Sequence, residues 1–134
     1  MIKLLYIKGA AFWGSQITAM GIVNNLSEEF QCTQMVSWKL SDLKVKGKYD
    51  IVYLHCLGKF LPNIGNVLRQ IKGAPLVGGI RGWVGLSWVK KNLPLLKYFK
   101  SIAVSNKFLL PEVRKIHNNV HLCTSGVDTT HFRP

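Results

Sequence analysis

Apolar residues along this chain fall into two kinds of run. Short, nearly continuous runs rich in β-formers occupy 2–7 ("IKLLYI"), 30–37 ("FQCTQMVS"), 50–56 ("DIVYLHC"), 75–80 ("PLVGGI"), 101–105 ("SIAVS") and 119–124 ("NVHLCT"). Unbroken hydrophobicity over so few residues predicts strands buried on both faces, as in a parallel sheet. Between them the apolar positions recur at helical spacing. One helix is expected from Ser15, a residue able to cap it, through about Leu26, with Ile17, Met20, Gly21 and Val23 about a turn apart. Others are expected over about 61–72, 86–99 and 106–117, Pro94 breaking or kinking the third. The polar stretch 38–48, "WKLSDLKVKGK", reads as a surface loop with at most a short helix.

Strand–helix alternation of this kind predicts an α/β fold with a doubly wound, mostly parallel, Rossmann-like sheet, residues 1–134 forming one domain. Ligands of such sheets gather beyond the carboxyl ends of the strands, so the residues that follow each run carry the candidate chemistry. Composition narrows the class. With 48% hydrophobic and 18% charged residues, the 134-residue chain is not a disordered one. No apolar run reaches the roughly 20 residues of a membrane-spanning helix, and the opening "MIKLLYIKGA" is too short and too interrupted by lysine for a signal peptide. Cys32, Cys56 and Cys123 are widely spaced and apolar in context, which predicts reduced core cysteines in a cytoplasmic protein.

Charge changes the picture more. Eighteen Lys and Arg against six Asp and Glu give a formal charge of +12. No acid lies between Asp50 and Glu112, whereas basic residues recur from Lys59 to Lys107. A field of one sign over half a domain favours an anionic partner: phosphate, nucleic acid or acidic lipid. At the strand ends, "KGAAFWGSQ" offers Gly9, Gly14 and Ser15 for phosphate contact at a helix N-terminus. It is not a dinucleotide fingerprint. "YLHCLGKF" places His55 at the edge, and "GGIRGWVGLSW" places Arg81 there, with Gly82 and Trp83 beside it as ligand contacts. Trp88, Lys90, Lys91, Lys97 and Lys100 form a basic, Trp-containing stretch suited to an anionic membrane surface. No metal-ligand spacing, nucleophile motif or carboxylate pair is present; Asp50 begins its strand, Glu28, Glu29 and Glu112 are expected in helices, and Asp128 alone lies in the right region.

The last third, "FKSIAVSNKFLLPEVRK" followed by "NNVHLCTSGVDTTHFRP", resembles the stretch that closes the N-terminal domain of group 1 (family 4) glycosyltransferases of the GT-B fold. There a strand ending in Ser, here Ser105, precedes a helix, a strand and an Asn-Gly-Val-Asp motif leading to Phe and Pro. Ser125 stands in place of the Asn, while Gly126, Val127, Asp128, Phe132 and Pro134 fit. "DIVYLHC" is similar to the family's strand ending in His, and Arg81 stands where many members have a histidine and some have Arg-Gly. The resemblance implies one half of a two-domain enzyme, the acceptor-side half, with the C-terminal nucleotide-sugar domain absent from these residues. It implies a retaining, metal-independent transfer of a hexosyl unit to a sugar, lipid-linked or cell-surface acceptor, with His55 and Arg81 as catalytic residues, Ser105 and Asp128 as acceptor or phosphate contacts, and no resident cofactor. It also implies a cytoplasmic enzyme, extending to peripheral attachment at the inner membrane face. The isolated domain is expected to be inactive. Two other readings remain: a stand-alone basic module for anionic membrane or, less favoured by its lack of motifs, nucleic acid; and a small flavodoxin-like phosphate-binding protein.

Overall fold

The computed structural model describes residues 1–8, 13–37, 43–55, 57, 61–81 and 86–124. Six strands, β1 (Ile2–Lys8), β2 (Phe30–Val36), β3 (Ile51–Leu54), β4 (Leu76–Ile80), β5 (Ser101–Val104) and β6 (Val120–Leu122), form one sheet in the order β2-β1-β3-β4-β5-β6. Every pairing is parallel. Among the described residues the helices are α1 (Trp13–Asn24), α2 (Ile64–Gln70), α3 (Leu86–Leu96) and α4 (Leu110–Arg114), with a 3-10 turn, Leu61–Asn63, leading into α2. This is a Rossmann-like α/β fold whose chain starts in the sheet interior, runs to one edge and then crosses back. All six expected strands form, each within a few residues of its apolar run.

Period-two alternation sorts the strand residues between faces. Leu5 and Ile7 sit in register with Val52 and Leu54, and this face carries the main core, with Ile64 and Val67 of α2, Val89 and Leu96 of α3, and Val113 of α4. Leu4 and Tyr6, in register with Ile51 and Tyr53, face the other way and pack with Ala19, Ile22 and Val23 of α1. Strand β4 passes between two crowded neighbours. A Cβ on Gly78 would lie 2.7–2.8 Å from Phe99 and Leu57, and one on Gly79 would lie 2.6 Å from the His55 carbonyl oxygen and 2.7 Å from the Tyr53 hydroxyl.

Several boundaries differ from the sequence reading for identifiable reasons. Helix α1 starts at Trp13, so Gly14 and Ser15 fall in its first turn and Ser15 is not the cap. Helix α3 runs through Pro94 and ends at Leu96 rather than 99. Proline forfeits the bond that its own N–H would have made and crowds the carbonyl four residues back, but so close to the C-terminus little helix remains to be lost. Helix α4 is confined to Leu110–Arg114 because Asn106 closes a turn ahead of it, its Oδ1 accepting from the Phe108 N–H at 2.8 Å, and Pro111 sits where a helix begins. Glu28 and Glu29 lie in the turn before β2, not in a helix. Cys123 is exposed and Cys32 half-buried, so neither is the core cysteine expected; Cys56 lies outside the described residues.

Within 38–48 the described residues, 43–48, are strand-free as expected, yet they are tied down. The Gln70 amide donates to the Leu43 carbonyl at 2.5 Å and to Asn66 Oδ1 at 2.9 Å, and accepts from the Val45 N–H at 2.7 Å. Leu43 is thereby held in the core at 4% exposure. Replacing Gln70 with alanine strands two half-buried backbone groups, which costs about 1–3 kcal/mol. Urea denaturation should show that loss, and hydrogen exchange should show faster exchange at Val45 while β1 stays protected.

Candidate functional site

Three aromatic rings meet on one face of the sheet because of strand parity. Tyr53 and His55 are two residues apart on one chain, and Tyr6 is the register partner of Tyr53 on β1. The His55 N–H donates to the Ile7 carbonyl at 3.0 Å, carrying the β1–β3 pairing one step past the end of β3. His55 is therefore fixed by backbone at the carboxyl edge. Tyr6 and Tyr53 stack with ring centres 5.0 Å apart, and the imidazole lies tilted against both, at 5.6 and 6.4 Å. Gly79 makes the arrangement possible, since any side chain there would strike the His55 carbonyl and the Tyr53 hydroxyl.

The Tyr6 hydroxyl and His55 Nδ1 are 2.5 Å apart, and both residues are almost wholly buried. Burial, reinforced by Tyr53, raises the Tyr6 pKa well above that of an ordinary phenol, so the hydroxyl keeps its proton. Among the described residues Nδ1 is the acceptor available to that proton. With Tyr6 donating to Nδ1, the neutral imidazole would carry its own hydrogen on Nε2. Burial, then the charges of Arg81 and Lys8, lowers the His55 pKa to about 4. At neutral pH the ring is an uncharged N–H donor, not a base waiting for a proton and not a cation.

Arg81 follows β4 directly, one strand over from His55, and is half-buried. Its charge acts on both Tyr6 and His55. Among the described residues its buried Nε has no hydrogen-bond partner. Ser105, which follows β5, pairs through its backbone N–H with the Ile80 carbonyl at 3.1 Å. It belongs to the same edge. Gly14 and Ser15 open α1. Gly9, Gly82, Trp83 and Asp128 lie outside the described residues.

Lys90, Lys91, Lys97 and Lys100 are exposed, as a surface role requires. The apolar residues beside them serve the core: Leu96 is wholly buried, Phe99 nearly so, and Trp88 packs partly against it. Their apolar face is used inside the domain. No helix among the described residues is long and apolar enough to cross a membrane, and these residues contain no group of three His, Cys, Asp or Glu able to hold a metal.

Sequence reasoning found His55 and Arg81 but missed Tyr6 and Tyr53. The signal was available: residues 53 and 55 must share a face, and a tyrosine near the end of the neighbouring strand can reach the same spot. Comparison with protein-family models, curated proteins and solved structures gave no match to this chain.

Proposed function

We propose that this chain is the acceptor-side, Rossmann-like half of a retaining, metal-independent GT-B glycosyltransferase, working with a second domain that binds the nucleotide-sugar. The observation that carries the reading is the convergence of a buried neutral histidine and an arginine on adjacent strands at the carboxyl edge of a parallel sheet, where ligands of such folds bind. Those are the two positions singled out by the resemblance of "DIVYLHC" and "PLVGGIRGW" to the family. His55, held neutral with its hydrogen on Nε2, suits hydrogen bonding to a sugar or acceptor oxygen. Arg81 suits a group that is or becomes negatively charged.

The test is transfer by this chain joined to, or mixed with, a nucleotide-sugar-binding domain. Arg81→Ala should lower kcat/KM at least about tenfold, the effect of losing one charge-assisted contact. The unfolding midpoint should stay within the range of an ordinary surface substitution. No transfer by the parent pair would sink the assignment and leave the basic, stand-alone binding module as the better reading; unaltered kinetics in Arg81→Ala would remove Arg81 from the site.

A further inference from the structure

We infer that the corner between Arg81 and His55 is a binding site for a tetrahedral dianion, the phosphate monoester group of a substrate. That the substrate is a glycosyl acceptor rests on the glycosyltransferase reading; the anion site does not. A buried guanidinium N–H without an acceptor is costly, and such orphans are rare enough to require a cause. The Nε of Arg81 is one, and it lies at the edge where ligands of this fold gather.

The acids among the described residues stand away from this edge and supply no internal partner there. Glu28 and Glu29 precede β2, and Asp50 precedes β3, its Oδ2 accepting from the Lys3 N–H at 2.8 Å. Glu112, in α4, pairs with Lys115 at 2.8 Å. No acid among the described residues stands at the carboxyl ends of β1, β3 or β4. Two cations do, Lys8 and Arg81, and both act on His55. Two positive charges and one neutral N–H donor match a dianion better than a carboxylate, and the imbalance concentrates potential at this edge. A Tyr6 hydroxyl donating to Nδ1 would contribute indirectly, leaving the His55 proton on Nε2.

Sulfate is a suitable probe because it stays doubly charged near neutrality. The 1–134 chain is titrated at pH 7 with sodium sulfate and, separately, with sodium acetate at matched ionic strength, while the Arg81 Nε–H and the His55 ring are followed by NMR. Sulfate should shift both resonances saturably and bind at least about tenfold more tightly than acetate. In Arg81→Gln the sulfate-induced shift of the His55 ring should vanish, and in Lys97→Gln both shifts should persist. Acetate matching sulfate on the unaltered chain, an Arg81→Gln chain that responds like the parent, or shifts confined to the lysines of α3 would each overturn the site. None of these outcomes depends on sugar transfer, so failure here is separable from failure of the proposed activity.

Discussion

Gly79→Ala is expected to destabilise the domain by about 1–3 kcal/mol, the range for forcing extra atoms into a filled core. The reason is the identity of the obstacles. The new Cβ would sit 2.6 Å from the His55 carbonyl oxygen and 2.7 Å from the Tyr53 hydroxyl. The first is backbone, held in the sheet by the bond from the His55 N–H to Ile7, so it cannot swing aside. Relief requires β3 and β4 to part or Tyr53 to leave its stack on Tyr6. Gly78→Ala meets only side-chain ends, of Leu57 and Phe99, and should cost less. Gly21→Ala, in the exposed interior of α1 with nothing within 4 Å, should raise stability by about 0.5–1 kcal/mol. Urea denaturation of the three variants ranks them, and near-ultraviolet circular dichroism reports the tyrosine stack. If Gly79→Ala proves as stable as the parent, the tight approach of β4 to the aromatic cluster is wrong.

The sheet was legible because buried parallel strands announce themselves. Every expected run, from "IKLLYI" to "NVHLCT", contains a strand, and the edge that collects His55 and Arg81 follows from where those runs stop. Helix ends were less legible because they depend on local competition. Ser15 looked like a cap, but the helix begins two residues earlier; Asn106 and Pro111 shortened α4 by offering the backbone a turn instead. The stretch 86–100 was legible only in part: Leu96 and Phe99 pack in the core while Lys90, Lys91, Lys97 and Lys100 stay exposed, a division that depends on what the sheet places beneath the helix. Tyr6 and Tyr53 were hidden by their own strands: an aromatic in an apolar run reads as packing, and the hydroxyl that orients His55 becomes visible only once the register of β1 on β3 is known.

That hydroxyl and its surroundings give the last expectation, a loss of stability on acidification that belongs to His55. An unperturbed histidine takes up a proton near pH 6.5, as His55 should in the unfolded chain, while in the folded domain burial, Arg81 and Lys8 hold its pKa at about 4. Between those two values the unfolded state binds more protons than the folded one, and stability must rise with pH. The contribution is therefore fully present above about pH 6.5, declines as the pH falls, and is lost once the pH has passed about 4. At about 1.4 kcal/mol per pKa unit, the whole interval is worth about 3 kcal/mol. His55→Gln keeps an acceptor for the Tyr6 hydroxyl but cannot titrate, so the difference in unfolding free energy between parent and variant should slope through this window and level off above it. Following the His55 ring protons by NMR gives the same quantity directly, with a midpoint expected near 4 in the folded domain. A midpoint near 6.5 would mean that the ring is open to solvent and free of Arg81, and the neutral N–H donor assigned to the site would have to be abandoned.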